Sequence, residues 1–160
     1  MLGVLTKKRS IKYIITLAAT VVLTMFIFGN SFAGYDASHS VSDSISDMIL
    51  PDKYSHSETV LLFIRKAAHL VEYAALGIAV MLFFKCVETD YGKRLYGVAL
   101  FYVLSVAVFD EHIQSFSDRT SSTGDILLDF LGALIGIFTV LSIRFIYTKI
   151  KKRKEKSVLV

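Results

Sequence analysis

The stretch IRKAAHLVEYAALGIAVMLFF, residues 64–84, decides how this chain must fold. Its second half is apolar without a break. A helix rises about 1.5 Å per residue and needs about 20 apolar residues to cross the roughly 30 Å hydrocarbon core of a bilayer. Residues 64–84 meet that length. Yet Arg65, Lys66, His69 and Glu72 all crowd one end of the run. Ionisable groups inside membrane-length segments are costly, therefore rare, and usually functional.

Three further runs have the same length, over residues 13–33, 95–116 and 126–147. Two of them repeat the one-sided pattern, with Asp110, Glu111 and Gln114 closing the third and Asp125 and Asp129 opening the fourth. The chain is 54% hydrophobic with a mean hydropathy of +0.56, too apolar for an ordinary soluble domain. The sequence therefore predicts a single domain over residues 1–160, an all-α integral membrane bundle of four transmembrane helices. A lone cysteine, Cys86, offers no intramolecular disulfide.

The formal charge of +4 is not a nucleic-acid signal, because the basic residues stand at the ends of apolar runs. Fourteen lysines and arginines fall at the N-terminus, between spans two and three, and after span four; four fall on the other side, Lys53, Arg65, Lys66 and Arg119. The excess of Lys and Arg faces the cytoplasm in multi-pass proteins. Both termini are therefore expected inside, with the 34–63 and 117–124 loops outside. The basic tract from Lys149 to Lys156 then meets anionic lipid.

The first span has a second reading. Lys7–Lys12, an apolar stretch and Ser31-Phe32-Ala33 resemble a signal peptide with a small-residue cleavage site, although the stretch exceeds the usual length of such a region. In the long outer loop, Val41, Ile45, Met48 and Ile49 recur at helical spacing before Pro51 stops the run. A short surface helix and a solvated loop are both compatible with that pattern.

Depth and facing bring the polar ends together. His69 and Glu72 fall roughly 5–10 Å below the outer boundary, and Asp129 lies roughly 6 Å deeper than Asp125. Asp110 stands roughly 22 Å above the cytoplasmic boundary, still within the core. Lys66, His69, Glu72 and Tyr73 share one helix face, as do Asp110, Glu111 and Gln114, and Asp125 with Asp129. Gly132 and Gly136 continue the last stripe in a Gly-xxx-Gly spacing that lets helices approach closely.

The segment Lys66-Ala67-Ala68-His69-x-x-Glu72-Tyr73-x-x-Leu76-Gly77 resembles the first signature of the VanZ-like membrane proteins. Asp110-Glu111-x-x-Gln114, followed by Arg119, Asp125, Asp129, Gly132 and Gly136, resembles the second. The resemblance covers about residues 60–138. It implies a small multi-pass protein of the bacterial plasma membrane, associated with low-level resistance to teicoplanin, a glycopeptide directed at the cell wall. Asp129 departs from the family, where Asn is common, and His112 falls at a variable position and receives no role.

Three functional readings follow. In the first, His69, Glu72, Asp110, Glu111, Asp125 and Asp129 are candidate catalytic groups, since closely spaced titratable groups in a low-dielectric layer separate into acid and base. Lys66, Tyr73, Gln114 and Arg119 are the substrate-binding candidates, with Lys66 and Arg119 suited to a phosphate or pyrophosphate of a lipid-linked envelope precursor. That reading finds no serine or cysteine nucleophile on the polar face. In the second, His69, Glu72, Asp110, Glu111 and Asp125 hold a metal; a single His-x-x-Glu without a second copy is a weak match to bundle di-metal sites, so no metal ligand is assigned and the cofactor stays open. In the third, the layer is a structural network in a binding or regulatory protein. Partners on any reading are membrane lipids, with a lipid-linked precursor or glycopeptide beside them. Cys86 reads as a free interfacial thiol and Arg144 as a snorkelling cation, while His39 and His56 read as solvated; Tyr13, Tyr91, Tyr96 and Tyr147 read as interface anchors.

Overall fold

A computed structural model of the chain describes residues 2–32, 44, 46–48, 57–91, 94–116 and 122–158. Four long helices dominate: α1 (Leu2–Phe32), α2 (Glu58–Tyr91), α3 (Tyr96–Gln114) and α4 (Thr123–Val158). No strand occurs among the described residues. Each helix contains a segment long and apolar enough to cross a membrane, and the protein is a multi-pass membrane protein. Helices α1, α2 and α4 run beyond the predicted spans because their flanks are rich in Lys, Arg and Glu, which favour helix, and lack proline.

The helices alternate in direction. The C-terminal end of α1 meets the C-terminal end of α3 through Ser31 and Asp110, and the start of α2 meets the start of α4 through Lys66 and Asp125. At the opposite end, Tyr13 of α1 packs on Phe83 of α2 with ring centroids 5.2 Å apart. Helix α2 packs on α4 and on α1, while α3 fits against α4, α1 and α2. Tyr73, Leu76, Val80 and Met81 of α2 meet Val103 and Ala107 of α3 and Ala133 of α4 in one buried core, which Ile27 of α1 joins. The outer faces are equally apolar: Met25, Phe101 and Phe138 are each about 70% exposed. A helix apolar all round belongs in hydrocarbon. Between α3 and α4 lies an apolar groove of about 560 Å³, lined by Tyr96, Leu100, Leu134 and Phe138 together with Met81 of α2.

Close approach of α2 and α4 sets the position of the polar layer. A Cβ on Gly132 would stand 2.5 Å from the Leu70 carbonyl oxygen. One on Gly136 would collide with the Ala74 carbonyl, and one on Gly77 with that of Ala133. The expected Gly132–Gly136 stripe thus faces α2 backbone, and Gly77 answers it from the other side. Small residues at such a seam let backbones touch, which strengthens dispersion contacts where no hydrophobic drive exists between helices.

The corner between α2 and α3 is closely paired. Lys85 Nζ donates to Glu88 Oε2 at 2.5 Å and to the Tyr96 hydroxyl at 2.8 Å, and lies 4.1 Å from the centre of the Tyr96 ring. Glu88 Oε1 accepts the Leu95 N–H at 2.8 Å. Tyr96 is therefore a member of this corner and more than an interface anchor. Between α1 and α2, Ser44 and Ser46–Met48 are helical, with Ser46 buried and Met48 exposed. Val41, Ile45, Ile49 and Pro51, on which the surface-helix reading rests, lie outside the described residues, as do His39 and His56.

Candidate functional site

All four helices deliver polar side chains to one end of the bundle. Helix α2 brings His69, Glu72 and Tyr73; α3 brings Asp110, Glu111 and Gln114; α4 brings Asp125 and Asp129. His69 Nδ1 stands 3.9 Å from Asp129 Oδ1. Potential ligand atoms of His69, Asp110 and Asp129 all lie within 4.8 Å of one another. Asp110 and Asp129 are buried, and so is Glu111. Glu72 is half-buried. Asp110, Glu111, Asp125 and Glu72 all lie within electrostatic reach of Asp129.

The carboxylates are oriented by neutral donors. Ser31 Oγ donates to Asp110 Oδ1, and Gln114 Nε2 donates to Asp110 Oδ2 at 3.1 Å. The same Gln114 amide reaches Ser31 Oγ at 3.3 Å. Asn30 Nδ2 donates to Glu72 Oε1 at 3.0 Å. The Ser122 N–H donates to Glu111 Oε1 at 2.5 Å, while Ser122 Oγ accepts the Gly124 N–H and starts α4. Isolated carboxylates in a dry interior are very costly, and bonds from neutral donors offset part of that cost without cancelling charge.

Other atoms in the layer lack such support. Glu111 Oε2 and Asp129 Oδ1 are buried with no hydrogen bond of regular geometry among the described residues. Tyr73 is wholly buried, and its hydroxyl stands against Asp110, with Asp129 and Glu72 nearby. Buried polar atoms are normally satisfied, so the two unsatisfied oxygens call for an explanation.

The rim is different. Lys66 Nζ donates to Asp125 Oδ1 at 2.6 Å, and the lysine is 54% exposed against 32% for the aspartate. Asp125 is thus paired at the mouth and Asp129 lies at the floor. Arg119, the other rim cation expected from the sequence, lies outside the described residues. His112 is exposed and packs edge-on against Phe116 at 5.0 Å.

Two members of the layer escape a reading of the sequence. Asn30 and Ser31 come from α1, although the polar layer is expected between spans two, three and four. The expectation that no serine stands on the polar face is corrected: Ser31 is fully buried there, bonded to Asp110. The signal is a polar Asn-Ser pair at the end of an apolar run. In sequence that serine resembles a cleavage-site residue, because nothing local indicates which helix it will touch. Gln114, expected to bind substrate, has its amide on Asp110 and Ser31.

No curated protein and no solved structure matches the chain. A family model described as VanZ/LLP1 matches residues 14–146, which span all four helices and every polar residue of the layer, and the chain accordingly belongs to the VanZ/LLP1 family.

Proposed function

We propose that this protein acts on lipid-linked cell-envelope material at the outer face of the bacterial plasma membrane, by hydrolysis or group transfer, and so contributes low-level tolerance to teicoplanin. The observation that carries the reading is the assembly of half-buried His69 with buried Asp110 and Asp129, three titratable groups from three helices within 4.8 Å. The distribution of Lys and Arg supports an inside location for both termini and, with it, an outer-side location for this layer. A phosphate or pyrophosphate at the headgroup level would meet Lys66, whose ammonium has two N–H donors beyond the one given to Asp125. His69 beside Asp129 is suited to take a proton from an attacking water, a role worth about 10²–10⁴-fold in rate. Asn30 and Ser31 give α1 a place in the layer, so α1 stays with the mature protein on this reading; N-terminal sequencing of membrane-extracted protein checks it.

Mass spectrometry of lipid-linked cell-wall precursors from cells with and without the protein is the decisive experiment. A covalent change that disappears in His69→Ala and Asp129→Asn at normal abundance supports the enzyme. Unchanged precursors, with teicoplanin tolerance retained in both variants, reject it.

One set of contacts favours a second reading. Asn30–Glu72, Ser31–Asp110 and Ser122–Glu111 tie separate segments together, as a structural network in a binding or regulatory membrane protein would. Binding of purified protein to lipid-linked precursor without turnover identifies that case.

A further inference from the structure

We infer that His69, Asp110 and Asp129 bind one first-row divalent cation of the zinc or manganese type. The 3.9 Å between His69 Nδ1 and Asp129 Oδ1 is too long for a hydrogen bond. It falls near the roughly 3.4–4.2 Å that separates two ligand atoms each about 2.1 Å from one metal ion. The third ligand, an Asp110 oxygen, lies within 4.8 Å of both. One imidazole with two carboxylates is a mixed nitrogen and oxygen set, which suits zinc or manganese; magnesium prefers oxygen and water.

The acids also stand close enough for one ion to serve them. Asp110, Glu111 and Asp129 are buried together, with Glu72 half-buried beside them. A divalent ion among them would neutralise two carboxylates. Asp129 Oδ1 supports the site as well: it is buried, faces His69, and has no regular hydrogen bond among the described residues. The surrounding donors have the form of an outer shell: Ser31 and Gln114 fix the Asp110 carboxylate as donors fix the ligands of known metal sites. Three protein ligands leave a position open for water, the arrangement of a catalytic site.

The inference deepens the proposed function and rests on it only for the catalytic consequence. Metal binding is read without turnover, so the two fail separately. The test uses full-length protein with any affinity tag removed, in nanodiscs, stripped with chelator and titrated with zinc chloride or manganese chloride. Binding is followed by calorimetry and by elemental analysis after desalting. One equivalent per chain is expected, together with a metal-dependent rise in melting temperature. His69→Ala and Asp129→Asn should lose both, and Ser31→Ala should weaken affinity about 10–100-fold. The melting temperature of metal-free Asp129→Asn, compared with metal-free wild type, shows that the variant is folded. Should it unfold, Co²⁺-loaded His69→Ala serves instead, by loss of the intense visible d–d bands that distinguish a four- or five-coordinate protein site from the weak bands of aqueous Co²⁺. Sub-stoichiometric binding, binding undiminished in His69→Ala and Asp129→Asn, or equal competition by magnesium overturns the site. Stoichiometric zinc with unchanged lipid precursors keeps the site and rejects the enzymatic reading.

Discussion

The two ends of this bundle treat buried polarity in opposite ways. At the α2–α3 corner, Lys85 meets Glu88 and Tyr96, and Glu88 takes the Leu95 N–H, so cation, anion and backbone donor are matched. At the other end Asp110, Glu111 and Asp129 gather beside His69, with Glu72 at their edge, and amides, a hydroxyl and a backbone N–H orient three of these acids. The corner behaves as a structural joint. The layer gathers several buried acids and keeps Glu111 Oε2 and Asp129 Oδ1 without a regular hydrogen bond among the described residues, and sites that retain such costs generally do so for function.

Four substitutions would break or sharpen that contrast. The largest effect is expected from Gly136→Leu, which lies between the two ends. A side chain there meets the Ala74 carbonyl, so α2 and α4 must separate. Overpacking of this kind costs about 1–3 kcal/mol or more. Folded yield on size-exclusion chromatography should fall sharply, and the layer should be lost with it. Retention of both would mean that the glycine seam does not position Asp129.

Next comes Asp129→Asn, which exchanges a buried carboxyl for an amide at nearly constant shape. Melting temperature without metal should hold or rise, because an amide never has to bury a charge. The lipid-precursor change should fall by about 10²-fold or more. A protein that unfolds instead would make the layer structural, like the corner.

Lys85→Met reverses the expectation. It leaves Glu88 without its cation, and hydrogen bonds to charged groups contribute about 1.5–3 kcal/mol at most sites. The loss here should lie within that range, since both side chains are largely shielded from solvent. Thermal unfolding should register it, while the precursor change per folded molecule stays at the wild-type value. Smallest of all is Lys151→Ala, which removes a 3.8 Å pair with Glu155 on the exposed tail of α4. Such pairs are screened by water and salt, and neither melting temperature nor activity should move measurably.

Much of this contrast is legible in the order of the residues. Four apolar runs of membrane length imply four helices, because backbone groups in hydrocarbon must be satisfied internally. The 3.6-residue period alone aligns His69 with Glu72 and Tyr73, and Asp125 with Asp129. Glycine at 132 and 136 announces close contact through the lack of a side chain. These are local properties that spacing reveals. Three things are decided only by tertiary structure. Asn30 and Ser31 join the layer because α1 packs on α2 and α3, and no local pattern names a helix's partner. Gly77 answers Gly132 and Gly136 because α2 and α4 meet at that register. Asp125 and Asp129, identical in type and four residues apart, divide into a paired rim acid and a buried floor acid. Depth sets that difference, because the rim reaches water and Lys66 while the floor stands among His69 and other acids. The sequence therefore determines which groups enter the membrane, and packing determines which of their charges are matched and which are left to one another.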